Sequence, residues 1–171
     1  NRLGSNSSIL YYLGVHDIDL IHWLSRSDII CVYAKKVEKI HNGNEDTLYA
    51  ILEFSNGAIG LLDYCWSWPS SLPSGYNFNL EVLGTKSGSF IDVRDQGIWK
   101  VKSNELNSFD THLWPEINNK ITGNLKDELM HFTESLQNNS EFIQSAKTAS
   151  KAIAVIDAIF KSINTNSSVK L

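Results

Sequence analysis

The sequence predicts an α+β fold: an open, mostly antiparallel sheet with helices packed on one face. Three observations predict it. A helical stretch near the N-terminus precedes a succession of β-branched and aromatic runs, and two helical stretches close the chain. Helix, then strands, then helices is not the alternation of a doubly wound parallel fold. The connections between the strand-like runs are short, which suits antiparallel neighbours, whereas parallel ones need long crossovers. At 171 residues the chain is read as a single domain spanning 1–171 with a sizeable core.

The elements follow in order. Residues 1–8 are polar and read as a frayed strand end or loop. Val15, Ile18, Ile21 and Leu24 recur near helical spacing and predict a helix over residues 14–25. Ile29–Ile40 is rich in β-branched and aromatic residues and reads as a long strand. Thr47–Phe54 and Ala58–Trp68 read as strands joined at Asn56-Gly57, residue types that accept the positive φ of a tight hairpin. Pro69 ends the second strand and Ser70–Gly75 is a loop. Phe78–Leu83 is a further strand, closed by Gly84-Thr85-Lys86-Ser87-Gly88. Ser89–Val93 and Ile98–Val101 predict a hairpin around Asp95-Gln96-Gly97. Residues 103–123 show no period and read as a surface excursion or lid, docked through Phe109 and Trp114.

Leu125, Leu129, Phe132 and Leu136 line one face of a helix. Ala149, Ile153, Ile156 and Phe160 line a face of the next, where Ala152, Ala154 and Ala158 allow close packing. Ser167–Leu171 reads as a short last strand. The run Tyr64, Cys65, Trp66, Trp68 does not alternate with polar residues. The second face of the sheet is therefore expected to be apolar too, and a second subunit is its simplest cover.

Bulk composition narrows the function. Apolar residues make up 42% and charged residues 20%, as in ordinary soluble proteins. A net charge of −4 argues against nucleic acid or an anionic membrane as partner. No apolar run approaches the roughly 20 residues of a membrane span, and no signal segment opens the chain. Cys31 and Cys65 sit in apolar runs and read as buried thiols of a reducing, cytoplasmic compartment, with one disulfide between them as the alternative. Opening on Asn1, with Met130 as its only methionine, the chain is expected to be a processed product or a cut piece of something longer.

The chemistry concentrates in Tyr11-Tyr12-Leu13-Gly14-Val15-His16-Asp17-Ile18-Asp19. His16 falls on the first turn of the predicted helix, where unpaired N–H groups favour the neutral imidazole, a group able to exchange protons near neutral pH. Asp19, three residues on, shares its helix face, and Gly14 allows a sharp turn or a close ligand approach. The competing reading makes His16 and Asp17 ordinary helix-start residues. His22 lies on a different face and reads as structural or exposed. A metal site from His16, Asp17, Asp19 and His22 matches no closed ligand pattern, so no metal is expected. A metal-dependent isomerase or hydrolase ranks below the other readings. No Gly-x-Ser-x-Gly elbow, G-x-G-x-x-G or P-loop occurs. Of the five tryptophans, Trp23 reads as core, while Trp66 and Trp68, before Pro69 and a glycine-containing loop, are candidates for a sugar-binding surface together with Tyr76.

Gly14-Val15-His16-Asp17-Ile18-Asp19 resembles the second-domain signature of the Gfo/Idh/MocA oxidoreductases. Leu52-Glu53-Phe54-Ser55-Asn56-Gly57-Ala58-Ile59-Gly60 resembles that family's central hairpin, and Ser67-Trp68-Pro69 the end of its next strand. Leu83-Gly84-Thr85-Lys86-Ser87-Gly88-Ser89 resembles a later glycine turn, one residue longer than usual. The closing helix Ala146–Lys161 and the last strand fit as well, so the likeness covers nearly the whole chain. The resemblance implies the C-terminal, dihydrodipicolinate-reductase-like domain alone, without the N-terminal Rossmann domain that binds NAD or NADP. It implies a parent enzyme moving a hydride between NAD(P) and a secondary alcohol or ketone of a sugar or polyol. This piece alone is expected to be inactive and to bind no cofactor. The alternative is a non-catalytic dimerisation or ligand-binding module. Carried over, His16 matches the histidine that takes or gives the substrate proton, and Tyr12 stands where the family often has an aspartate. Tyr12 is the second catalytic candidate, with an ordinary pKa near 10 that makes it a poor base without a nearby cation. Gly14 and Asp19 match as supports of the site. The resemblance also implies a homodimer through the exposed sheet face.

Overall fold

The computed structural model describes residues 7–41, 43–69, 71–72, 77–93 and 97–171. In chain order, a π-helical turn over Leu10–Gly14 leads into α1 (Val15–Ser25), then β1 (Ile29–Val37), β2 (Thr47–Phe54) and β3 (Ile59–Cys65). There follow β4 (Asn79–Leu83), β5 (Gly88–Asp92), β6 (Trp99–Lys102), β7 (Glu105–Ser108), β8 (Glu116–Ile117) and β9 (Lys120–Ile121). The chain closes with α2 (Asn124–Asn138), α3 (Ala146–Thr165) and β10 (Val169–Lys170). These elements fall into two compact units, one of residues 1–67 with 143–171 and one of residues 68–142.

The first unit is an antiparallel sheet in the order β10-β1-β2-β3. Period-two alternation sends Val32, Ala34, Leu48, Ala50, Leu52, Leu62 and Tyr64 to one face, where α1 and α3 cover them. From α3 come Ala152, Val155, Ile156 and Ile159. The buried stripe of α3 is thus rotated from the expected one, for Ile153 and Ala154 are exposed. A buried serine locks the layers: Ser162 Oγ accepts the Ala34 N–H at 3.0 Å and donates to the Ser167 carbonyl at 2.7 Å. Ser145 and Thr148 form the capping box that starts α3.

The open face of the sheet is apolar as expected, but different residues make it so. Tyr33, Ile51 and Leu61 are register partners across three strands and all are exposed, with Tyr49 and Ile59 beside them. Tyr64 points instead into the core. The β2–β3 turn holds as read, with Gly57 at φ 85° and its N–H donating to the Phe54 carbonyl at 2.9 Å. β1 is shorter than expected because Asp46 reorganises the chain after it. Its carboxylate accepts the N–H groups of Ile40 and His41, each at 2.8 Å, and that of Lys39 at 2.5 Å.

The second unit pairs its strands differently from the expectation. Leu83 faces Gly88 across the Gly84–Ser87 turn, so β5 pairs with β4 rather than with β6. β6 pairs with β7, and β8 with β9, inside the stretch that shows no periodicity. Each is a short hairpin whose side chains are nearly all exposed, which leaves no one-sided hydrophobic signal to read. The apolar stripe of α2 is half exposed, and Phe132 stacks on Phe142 at 5.4 Å between ring centroids.

Candidate active site

The helix that carries His16 begins earlier than its periodicity suggests. Glu45, buried in the β1–β2 connection, accepts the Ile9 N–H at 2.7 Å and the Ser8 hydroxyl, while Ser8 Oγ accepts the Leu10 N–H at 3.1 Å. These contacts satisfy the first helical donors, which otherwise face an apolar core. From there the chain is helical through Ser25. His16 therefore stands inside a continuous helix, and the expected supply of unpaired N–H groups beside it is absent. Gly14, at φ −60° and ψ −27°, makes no sharp turn.

What Gly14 provides is room. A Cβ there would lie 3.3 Å from both Cζ and the hydroxyl oxygen of Tyr64, and 2.9 Å from Leu10 Cδ2. The Tyr64 ring thus lies flush against the helix one turn before Asp17. Burial pushes the half-buried Asp17 carboxyl above its usual range, while the neighbouring Tyr64 hydroxyl and His16 pull it back. Burial, and then the Asp17 charge, push the Tyr64 phenol far above its ordinary value. Sequence reading missed Tyr64 as a site neighbour. Its signal was present in the alternation of β3, which places it on the helix-covered face opposite Leu48.

The two tyrosines before Gly14 go opposite ways. Tyr11 stacks on Phe160 with ring centroids 5.6 Å apart and donates its hydroxyl to Asp157 Oδ1 at 3.0 Å. Tyr12 packs on Trp66, also at 5.6 Å, with the planes tilted by 46°. Both partners are fixed by the core, so this pair of contacts pins the helix rotation and leaves His16 exposed.

Beyond His16 a groove of about 610 Å³ runs along α1 and the start of α3, lined among others by His16, Asp19, Trp23, Arg26, Gln144 and Lys151. Asp19 accepts a hydrogen bond from Gln144 Nε2 at 2.5 Å, and Gln144 Oε1 accepts one from Thr148 Oγ1 at 2.5 Å. Asp19 therefore ties α1 to the capping box of α3. Gln144 was not foreseen, since its partner is 125 residues away in sequence. Burial pushes His22 below its ordinary value; the Ile18 carbonyl opposes this and the Lys151 charge adds to it. Lys151 is itself paired with Asp28 at 2.6 Å. Trp23, expected in the core, is 67% exposed on the groove.

The structure thus carries Tyr12, Gly14, His16 and Asp19 on one continuous helical run, with Trp66 against Tyr12 and with His16 and Asp19 lining the groove. Trp68 is exposed and belongs to the second unit, and Tyr76 lies outside the described residues. Among the described residues no three His, Cys, Asp or Glu side chains could hold a metal ion, and no helix is long and apolar enough to cross a membrane. No glycine-rich strand-to-helix turn for a dinucleotide occurs among them either. Gly84–Gly88 closes a hairpin, the positive-φ glycines Gly43, Gly57 and Gly97 sit in loops or turns between strands, and Gly123, the fourth, is a single glycine between β9 and α2.

Residues 4–171 match the family model described as oxidoreductase family, C-terminal alpha/beta domain. No curated protein matches the sequence. Among solved structures, GenD2 from gentamicin A biosynthesis, in complex with NAD, superposes with a TM-score of 0.78 at 20% identity, over 99% of this chain and 51% of that one. A myo-inositol dehydrogenase from Corynebacterium glutamicum gives 0.69 at 20% identity, over 98% and 50%. Scyllo-inositol dehydrogenase from Lactobacillus casei, with bound NAD(H) and scyllo-inositol, gives 0.70 at 16% identity, over 96% and 48%. At these identities the likeness is one of fold. The chain spans about half the length of the solved structures it matches.

Proposed function

The chain belongs to the oxidoreductase family, as its C-terminal alpha/beta domain, and on that premise we propose that it is the substrate-facing half of an enzyme that interconverts a secondary alcohol and a ketone of a sugar or polyol. A nicotinamide cofactor, NAD or NADP, held by a separate Rossmann domain, takes or supplies the hydride when bound. Among the described residues none forms a dinucleotide cradle, and the isolated chain is expected to be inactive and to bind no cofactor.

The observation that carries this reading is the exposure of His16 on a helix whose rotation is fixed from both sides. In the oxidative direction a ring nitrogen of His16 accepts the proton of the substrate hydroxyl as its carbon loses a hydride. In the reductive direction the imidazolium returns that proton to the new oxygen. Asp19 supports the site by holding α1 against the start of α3, and Gly14 by admitting Tyr64. Tyr12 flanks His16 one helical turn before it. The neighbour with bound scyllo-inositol favours a cyclic polyol or sugar as substrate, and the NAD-bound neighbours favour a nicotinamide cofactor. The exposed row Tyr33, Ile51 and Leu61 supports a homodimer through the open sheet face. Unpaired Cys31 and Cys65 agree with a cytoplasmic setting. The direct test is cofactor reduction by the full-length protein across a panel of sugars and cyclic polyols. Turnover of at least one supports the reading; none with either NAD or NADP overturns it.

A further inference from the structure

We propose that Tyr12 and Trp66 form an aromatic ledge beside His16 that takes the C–H face of a pyranose or cyclitol ring, so that Tyr12 selects ring substrates through its aromatic face. The inference rests on the sugar or polyol reading above and deepens it.

Geometry carries it. In a regular helix a step of four residues covers about 400°, which leaves residue i−4 some 40° off the line through residue i. The Leu10–Gly14 turn is π-helical and holds more residues per turn. The step from Tyr12 to His16 therefore lies closer to one full revolution, and the two side chains leave the helix on the same side. Its flank rests on Trp66 at 5.6 Å, and Trp66 packs against the core. With that support, 46% of Tyr12 remains exposed. Tyr11, the adjacent tyrosine, is turned away to Asp157 and Phe160.

A ring polyol with equatorial hydroxyls presents hydroxyl groups at its edge and C–H bonds on its faces. An aromatic face carries apolar area and partial negative charge, which complement those C–H groups. A ring seated on the ledge directs an edge hydroxyl toward the residue one turn along, which is His16. An open-chain polyol has no such flat apolar face and gains little from the ledge.

The test compares full-length wild-type protein with Tyr12→Ala and Tyr12→Phe. Binding of myo-inositol and glucose, as ring probes, and of mannitol, as an open-chain probe, is followed by calorimetry, with turnover measured alongside. Tyr12→Ala should weaken ring binding roughly tenfold and raise KM in step, with kcat changing far less. Tyr12→Phe should recover most of that loss, and mannitol should show no comparable change. Failure of Tyr12→Phe to recover binding would make the hydroxyl the working group and overturn the ledge. Unchanged ring binding in Tyr12→Ala, or no ring binding by the wild type, overturns it too. The acid–base reading fails separately, if His16→Ala leaves kcat intact while Tyr12→Ala still weakens ring binding.

Discussion

Replacing Gly14 by alanine sets two effects of known sign against each other. In a helix interior the exchange gains about 1 kcal/mol, because alanine loses less backbone freedom than glycine. Against that, the new methyl would lie 2.9 Å from Leu10 Cδ2 and 3.3 Å from two atoms of Tyr64. The leucine methyl is the end of a flexible side chain and can swing aside. The tyrosine ring cannot retreat so easily, for Tyr64 is buried in the core cluster on the helix-covered face of β3. Overpacking of this kind costs roughly 1–3 kcal/mol. The net expectation is a loss of about 1 kcal/mol, which urea denaturation resolves as a lower midpoint at unchanged slope. Because the clash is with Tyr64, Gly14→Ala combined with Tyr64→Phe should be non-additive, by roughly 0.5 kcal/mol or more. A stabilised Gly14→Ala, or strict additivity, would show that the ring does not press on the helix and would refute the packing role given to this glycine.

Further outcomes follow from the same contacts. Burial alone would push the Asp46 carboxyl up, but the N–H groups of Lys39, His41 and Ile40 and the His41 ring hold it at about 2. A depressed carboxyl contributes stability that is fully present above its unfolded value of about 4 and is lost as pH falls through about 2. Asp46→Asn should flatten the stability profile in that window, and an unchanged acid limb would contradict the assignment. Asp19→Ala or Gln144→Ala should each cost up to about 1 kcal/mol in denaturant unfolding, with the double variant little worse than either single one. Leu61→Asp, on the exposed row of the sheet, should leave the protein monomeric in sedimentation equilibrium, whereas a wild type that is itself monomeric would remove the dimer.

The sheet of the first unit was legible because each strand alternates between a covered and an open face. Leu48, Ala50, Leu52 and Phe54 are all buried, with Tyr49, Ile51 and Glu53 exposed between them. The same period could not show which apolar residues of α3 turn inward, since Ile153 and Ile156 look alike in sequence and only packing separates them. The strand pairs of the second unit were misread because two strand runs flanking Asp95-Gln96-Gly97 suggest a hairpin as strongly as two flanking Gly84–Ser87. In the candidate site, His16 and Tyr12 were singled out from local sequence, and both are exposed on the helix. Glu45 and Gln144 were not, because each reaches the helix from a distant segment through hydrogen bonds that no periodicity encodes, while the alternation of β3 gave the face of Tyr64 but not its contact with Gly14. The helix start was missed for the same reason: its first donors are satisfied by a buried glutamate from another loop.

The central claim is that the His16 imidazole carries the substrate proton, and single-turnover kinetics of His16→Ala in the full-length protein test it most directly. The account predicts a roughly 10²–10⁴-fold slower chemical step, with ring binding retained through Tyr12 and Trp66. A chemical step as fast as that of the wild type would contradict it.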